Sequence, residues 1–217
     1  KLAGRWRNLY LFDIKTKEET SLTKELFILD DFDVSPDGKK VVLTARPGNR
    51  QNYPHFSELY LYDLDKNSLR RLTKNEAPER DIQWSPDGKK LLAPSLPLTR
   101  RRGFRLSFWL MNPVNGDTRK LNSQNQGEVD HIFWTPDSKG LLFNEVHGTN
   151  QNLCLLDIEK DTLASLTDRT GSLRALAFSE DRERMVFSCA SSWEICLAYT
   201  SDLTSKNEVR LTRANPW

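Results

Sequence analysis

The sequence predicts an all-β chain of repeated four-stranded antiparallel blades: a β-propeller of about four blades plus an N-terminal half blade, part of a larger ring. Three observations predict it. The tetrapeptide Ser35-Pro36-Asp37-Gly38 recurs as Ser85-Pro86-Asp87-Gly88, as Thr135-Pro136-Asp137-Ser138 and, more weakly, as Ser179-Glu180-Asp181-Arg182, at steps of 50, 50 and 44 residues. A second anchor keeps the same rhythm: Leu22-Thr23, Leu72-Thr73, Leu121-Asn122, Leu166-Thr167 and Leu211-Thr212 fall 50, 49, 45 and 45 residues apart. Before each second anchor lies a short apolar run of strand length, such as Leu59-Tyr60-Leu61-Tyr62-Asp63.

Each unit reads in order as four strands. The first ends at Val34, Trp84, Trp134 or Phe178. The tetrapeptide then turns the chain: Pro presets φ at the second position, Asp tolerates the third, Gly suits the fourth, and Ser or Thr bonds back from the first. The second strand is a continuous apolar run (Val41-Val42-Leu43, Leu91-Leu92-Ala93, Leu141-Leu142-Phe143 or Met185-Val186-Phe187), as expected of a strand covered on both faces. The third is the Leu-Tyr-Leu-Tyr-Asp type, with counterparts at Leu9 to Asp13, Phe108 to Asn112, Leu153 to Asp157 and, more loosely, Ile195 to Tyr199. A polar turn such as Asp65-Lys66-Asn67-Ser68 leads to the fourth, which ends at the Leu-Thr anchor. The expected blades are 24–73, 74–122, 123–167 and 168–212, with 1–23 as the outer strands of a preceding blade.

Composition narrows the function classes. Lys and Arg number 32 against 30 Asp and Glu, a formal net charge of +2, so no overall field draws the molecule to nucleic acid or an acidic membrane. Charged residues are 29% of the chain, and no apolar stretch approaches the roughly 20 residues of a spanning helix. Cys154, Cys189 and Cys196 are too few for a disulfide framework and lack metal-ligand spacing; they are expected as packed thiols, with a Cys189–Cys196 bridge as the alternative in an oxidising compartment.

The strand-turn combination, with its Ser-Pro-Asp-Gly-Lys-Lys turn, resembles the WD40-like repeat of two groups. One is the propeller of prolyl oligopeptidase-family serine peptidases, including dipeptidyl and acylaminoacyl peptidases; the other is the propeller of TolB. The run Leu211-Thr212-Arg213-Ala214-Asn215-Pro216 is similar to the junction that leads from the last blade into the α/β-hydrolase domain of those peptidases. Residues 188–194 are similar to the last-blade hairpin of dipeptidyl-peptidase-like members, with Trp193 departing from their pattern. The resemblance implies a non-catalytic propeller that gates short peptides and helps bind them. Its partners would be a hydrolase domain of the same parent chain and a short peptide, in a cytoplasmic or periplasmic protein. A TolB-like protein-binding propeller without peptidase activity is the alternative, and a free-standing scaffold the third reading.

The sequence carries no recognisable catalytic set of its own. A hydrolase of that family needs a Gly-x-Ser-x-Gly elbow, and the sequence has none. His55, His131 and His147 fall on different units, with His131 starting an inner strand and the others in loops. Asp37, Asp87 and Asp137 lack the dense oxygen spacing of a calcium loop and are explained by their turns; Trp84 and Trp134 are expected in the core rather than as a stacking platform. No catalytic, metal or cofactor-binding residue is assigned. The irregular features are the long connections between second and third strands, 45–57 and 93–106. The latter carries Arg100, Arg101, Arg102 and Arg105, a basic cluster suited to a substrate carboxylate or the missing domain, and too short and isolated for nucleic acid.

Overall fold

The structure, a computed structural model, describes residues 7–24, 28–46, 56–74, 79, 81–95, 107–121, 127–191 and 196–213. It is built of strands: one two-stranded sheet and four four-stranded sheets, every one antiparallel. Contacts divide the chain into two compact units, Lys1–Lys120 and Leu121–Trp217.

In the first unit, β1 (Tyr10–Phe12) pairs with β2 (Glu19–Ser21). The next sheet runs β3 (Ile28–Val34), β4 (Lys40–Arg46), β5 (Glu58–Asp63), β6 (Ser68–Arg71), each beside its sequence neighbour. The third sheet follows as β7 (Gln83–Trp84), β8 (Leu91–Ser95), β9 (Ser107–Met111), β10 (Thr118–Lys120). In the second unit the sheets are β11 (Glu128–Trp134), β12 (Gly140–His147), β13 (Asn150–Asp157), β14 (Thr162–Ser165), and then β15 (Ser172–Phe178), β16 (Arg184–Ala190), β17 (Leu197–Asp202), β18 (Val209–Arg210).

The four tetrapeptide turns share one geometry. The fourth residue's N–H donates to the first residue's carbonyl, at 2.8 Å for Gly38 to Ser35 and 2.9 Å for Arg182 to Ser179. That fourth residue is left-handed in every copy: φ is +70° at Gly38, +69° at Gly88, +59° at Ser138 and +59° at Arg182. The first residue's hydroxyl accepts the N–H that opens the second strand and donates to the turn's Asp, as in Lys40 N to Ser35 Oγ at 2.9 Å and Ser35 Oγ to Asp37 Oδ1 at 2.6 Å. This locks the register of the following apolar strand, and with it which side chains face each neighbouring sheet.

Packing follows from the register. Leu43 and Val41 of β4 lie against Leu9 and Tyr62 on one side, whereas Val42 lies with Leu61, Ile82, Trp84 and Leu91 on the other. In the second unit Leu142 and Leu153 pack with Leu173, Met185, Phe187 and Tyr199 of the next sheet. The two-stranded sheet shows what incomplete cover does. Leu11 and Phe12 are each 52% exposed, while Leu61 and Tyr62, at the same positions of a four-stranded sheet, are 6% and 2% exposed.

Two details differ from the sequence reading. Strand β8 continues through Pro94 to Ser95, and Pro94 pairs with Phe108. Among the described residues β7 pairs with Leu91 and Leu92 alone, and a proline is tolerated on a strand beyond its paired stretch because no donor is needed on that side. His147 ends a strand instead of lying in a loop: it pairs with Asn150 across a two-residue turn in which Gly148 has φ +62°.

Leu142 is fully buried with neighbours from two sheets. Leu142→Ala is expected to cost about 2–5 kcal/mol in a urea melt of the whole chain, and a loss under about 1 kcal/mol would contradict the described packing.

Candidate functional site

Arg100, Arg101, Arg102 and Arg105 lie outside the described residues, as do His55 and most of the first long connection. What the structure places is their frame. One connection leaves β4 after Arg46 and returns at Glu58, the other leaves β8 after Ser95 and returns at Ser107. In each sheet this is the end opposite the tetrapeptide turn, because the second strand runs from one to the other.

A polar network stands at that end of β5, and it contains two glutamates that sequence reasoning missed. Glu58 and Glu79 are 6% and 7% exposed. The Thr73 hydroxyl lies 2.7 Å from Glu58 Oε2 and 2.9 Å from Glu79 Oε2, and it accepts the Leu59 N–H at 2.8 Å. Arg71 Nη2 reaches Glu58 Oε1 at 2.6 Å. Ser57 Oγ donates to the Glu79 carbonyl at 3.1 Å and accepts its N–H at 3.0 Å. Part of this is a latch common to the repeat: Thr23 meets Asn8, and Thr167 meets Asn152, in the same way. The available signal was the fixed interval of 15 residues between latch partners. Among the described residues the latch partner is a carboxylate at Glu58, where a second carboxylate, Glu79, joins it and Arg71 supplies the paired cation.

The other sequence candidates are placed plainly. The three cysteines are free thiols. Cys189 pairs with Leu197, both buried on one face, so the neighbouring Cys196 is out of register for a bridge and is exposed. The Arg169 guanidinium lies 3.4 Å from the Cys189 sulfur, over the Phe187 ring, and is paired with Glu208. His131 lies within β11 where the register shifts, at φ +51°, with Nε2 3.5 Å from Asp130. Trp84 and Trp134 are buried. Among the described residues no group of three or more His, Cys, Asp or Glu could hold a metal ion.

At the tetrapeptide end, each unit has a groove between its two four-stranded sheets. The groove of the first unit, about 490 Å³, is lined by Asp37 and Lys40 of one sheet and by Trp84, Asp87 and Gly88 of the next. That of the second, about 510 Å³, is lined by Asp137, Asp157, Asp181 and Arg182. The turn carboxylates are held ionised: hydrogen bonds from Ser35 and Lys39 N–H keep Asp37 below the ordinary carboxyl range, Thr135 and Lys139 N–H do so at Asp137, and Ser179 and Glu183 N–H at Asp181.

No family model and no curated protein matches the chain. Solved structures do match. TolB from Acinetobacter baumannii is similar at a TM-score of 0.66 and 17% identity, over 94% of this chain and 48% of that one. An oligogalacturonate lyase from Vibrio parahaemolyticus is similar at 0.74 and 16%, over 94% and 59%. A prolyl endopeptidase is similar at 0.72 and 14%, over 99% and 34%. The chain is a propeller. It spans about half the length of the TolB structure and a third of the endopeptidase, and at these identities the likeness establishes fold alone. No helix among the described residues is long and apolar enough to cross a membrane.

The depressed carboxyl values fix a pH dependence. A group whose folded pKa lies below its unfolded value contributes stability that is present above the unfolded pKa and is lost as pH falls through the folded one. Melting temperature is therefore expected to hold near neutrality and fall below about pH 4. Asp37→Asn and Asp137→Asn together should flatten that acid limb. Chemical denaturation across pH 2.5 to 7 checks this, and an unchanged limb in the double variant counts against the turn carboxylates as its source.

Proposed function

We propose that this chain is the propeller portion of a prolyl-oligopeptidase-like serine peptidase, a non-catalytic module that gates short peptides into a hydrolase domain of the same parent chain. The observation that supports the reading is the likeness to prolyl endopeptidase, whose chain extends well beyond the matched portion. On this reading 1–23 form the outer strands of one blade, 24–73, 74–122, 123–167 and 168–212 form four more, and 213–217 begin a linker. Arg100, Arg101, Arg102 and Arg105 contact the substrate or the hydrolase domain from the rim where the second and third strands connect. The latch of Glu58 and Glu79 stands at the same end of its sheet. The TolB likeness favours a second reading, a protein-binding propeller without peptidase activity.

A serine-directed fluorophosphonate separates the two. The full-length parent is expected to label covalently on a residue outside this segment, and the 217-residue chain is expected not to label. A parent that neither labels nor cleaves dipeptide or acyl-amino-acid reporters would favour the TolB-like reading. Within a labelling parent, replacing Arg100, Arg101 and Arg102 by Ala is expected to raise peptide KM or weaken domain docking. A buried charge pair there is worth ~2–5 kcal/mol and an exposed one ~0–1 kcal/mol. The propeller's melting temperature should stay within about 2 °C of wild type. Unchanged KM and unchanged docking would reduce the cluster to a solvated insertion.

A further inference from the structure

The three latches differ in how many groups meet the threonine hydroxyl. At Thr23 and Thr167 it accepts one backbone N–H, from Leu9 or Leu153, each at 2.9 Å. It also donates to one amide oxygen, Asn8 Oδ1 at 3.1 Å or Asn152 Oδ1 at 2.9 Å. A hydroxyl has one proton to give and two lone pairs to receive with, so each of these two latches leaves a lone pair over.

At Thr73 three groups meet the hydroxyl. It accepts the Leu59 N–H at 2.8 Å, and two carboxyl oxygens lie against it, Glu58 Oε2 at 2.7 Å and Glu79 Oε2 at 2.9 Å. The single hydroxyl proton serves one of them. The other contact becomes a hydrogen bond when that carboxyl brings a proton of its own and donates it to the remaining lone pair. With both ionised, two buried negative groups would share one donor, an arrangement that favours the neutral form of one of them. Arg71 decides which. Its Nη2 is paired with Glu58 at 2.6 Å, so Glu58 is the acceptor of the Thr73 proton and Glu79 the donor.

Glu79 is held through its backbone as well. Ser57 Oγ donates to the Glu79 carbonyl at 3.1 Å and accepts its N–H at 3.0 Å. Glu79 thereby ties the segment ahead of β7 to the start of β5.

We propose that the Glu79 carboxyl is a proton-holding group that clasps the segment ahead of β7 to the start of β5 while it is protonated and releases it on ionising. Among the described residues the other charged groups of this network are Glu58 from β5 and Arg71 from β6. The sign is opposite to that of the turn carboxylates. A carboxyl that holds its proton more tightly in the folded chain contributes stability that is present below the unfolded value of about 4.3 and is lost as pH rises through the folded one. The clasp is independent of the peptidase reading, since it uses the geometry of this chain alone.

The test uses the whole chain with carbon-13 in its glutamate carboxyls. The Glu79 signal is assigned by through-bond correlation and followed by nuclear magnetic resonance from pH 4 to 9. Its midpoint is expected above about pH 6. Glu58→Gln places beside Thr73 an amide able to donate to it, which frees the Thr73 proton for Glu79, so the midpoint should fall by about one unit or more. Thr73→Ser keeps the hydroxyl and should keep the raised midpoint. Exchange of the Glu79 amide, corrected for the intrinsic effect of pH, should quicken about tenfold or more between pH 5 and 8. In Glu79→Gln, whose amide donates to Thr73 at every pH, the corrected exchange should stay level. If Glu79→Gln does not fold, the wild-type midpoint and its fall in Glu58→Gln decide. A wild-type midpoint below about pH 6, a smaller fall in Glu58→Gln, or a corrected exchange profile that Glu79→Gln shares with wild type would each overturn the proposal.

Discussion

Everything in this chain depends on the second strand of each sheet having no face for water. Val42, Leu43, Leu91, Leu92, Leu141 and Leu142 are fully buried, although they alternate between the two faces of their sheets. A strand of this kind is stable only when its sheet is covered on both sides, so a single sheet cannot stand alone and each one recruits the next. Charge is thereby driven to the strand ends and to the outer strands. The exposed residues of β6, β10 and β18 and the carboxylates of the turns obey that division. Any chemistry the fold carries must therefore sit on a rim or in a groove between sheets.

The turns convert this constraint into register. A hydroxyl that accepts the backbone N–H five residues on, while donating to an Asp two residues on, permits only one pairing of first and second strands. A slip by one residue would turn the apolar row outward, so a few hydrogen bonds at the rim select the face to which several buried leucines belong. At the other end of the third strand the threonine of the Leu-Thr anchor does the same, its hydroxyl accepting the N–H of Leu9, Leu59, Leu153 and Ala198. Both anchors are side-chain-to-backbone devices, which is why they are repeated in sequence more faithfully than the residues between them.

That explains how much was legible. The sheets, their strand order and the buried tryptophans followed from the two anchors, because residue type at an anchor is dictated by local backbone geometry. Pro94 was misjudged because its tolerance depends on β7 being short, a property of a different strand. His147 was misjudged because the Gly148-Thr149 turn lacks the Asn-Gly or Asp-Gly pair that marks a tight hairpin most strongly. Glu79 could not be found at all, since its burial depends on Ser57 and Thr73, which reach it only in the folded chain.

The same comparison shows where function is written in a repeat. A position that keeps its residue type in every copy is answering the backbone, and its chemistry is already spent there: the Asp of each turn is saturated by its own hydroxyl and amide. A position that changes type while its surroundings stay constant is answering something else. Glu58 replaces the asparagine of its counterparts Asn8 and Asn152 at an unchanged threonine. Arg182 replaces the glycine of its counterparts Gly38 and Gly88 at an unchanged φ region. Neither change is needed to hold a sheet together, since sheets with the other residue hold equally well in the same molecule. The repeat thus supplies its own control: a residue that departs from it without altering the backbone answers its side-chain surroundings, as Glu58 answers Arg71 and Arg182 answers Phe133 and Phe178.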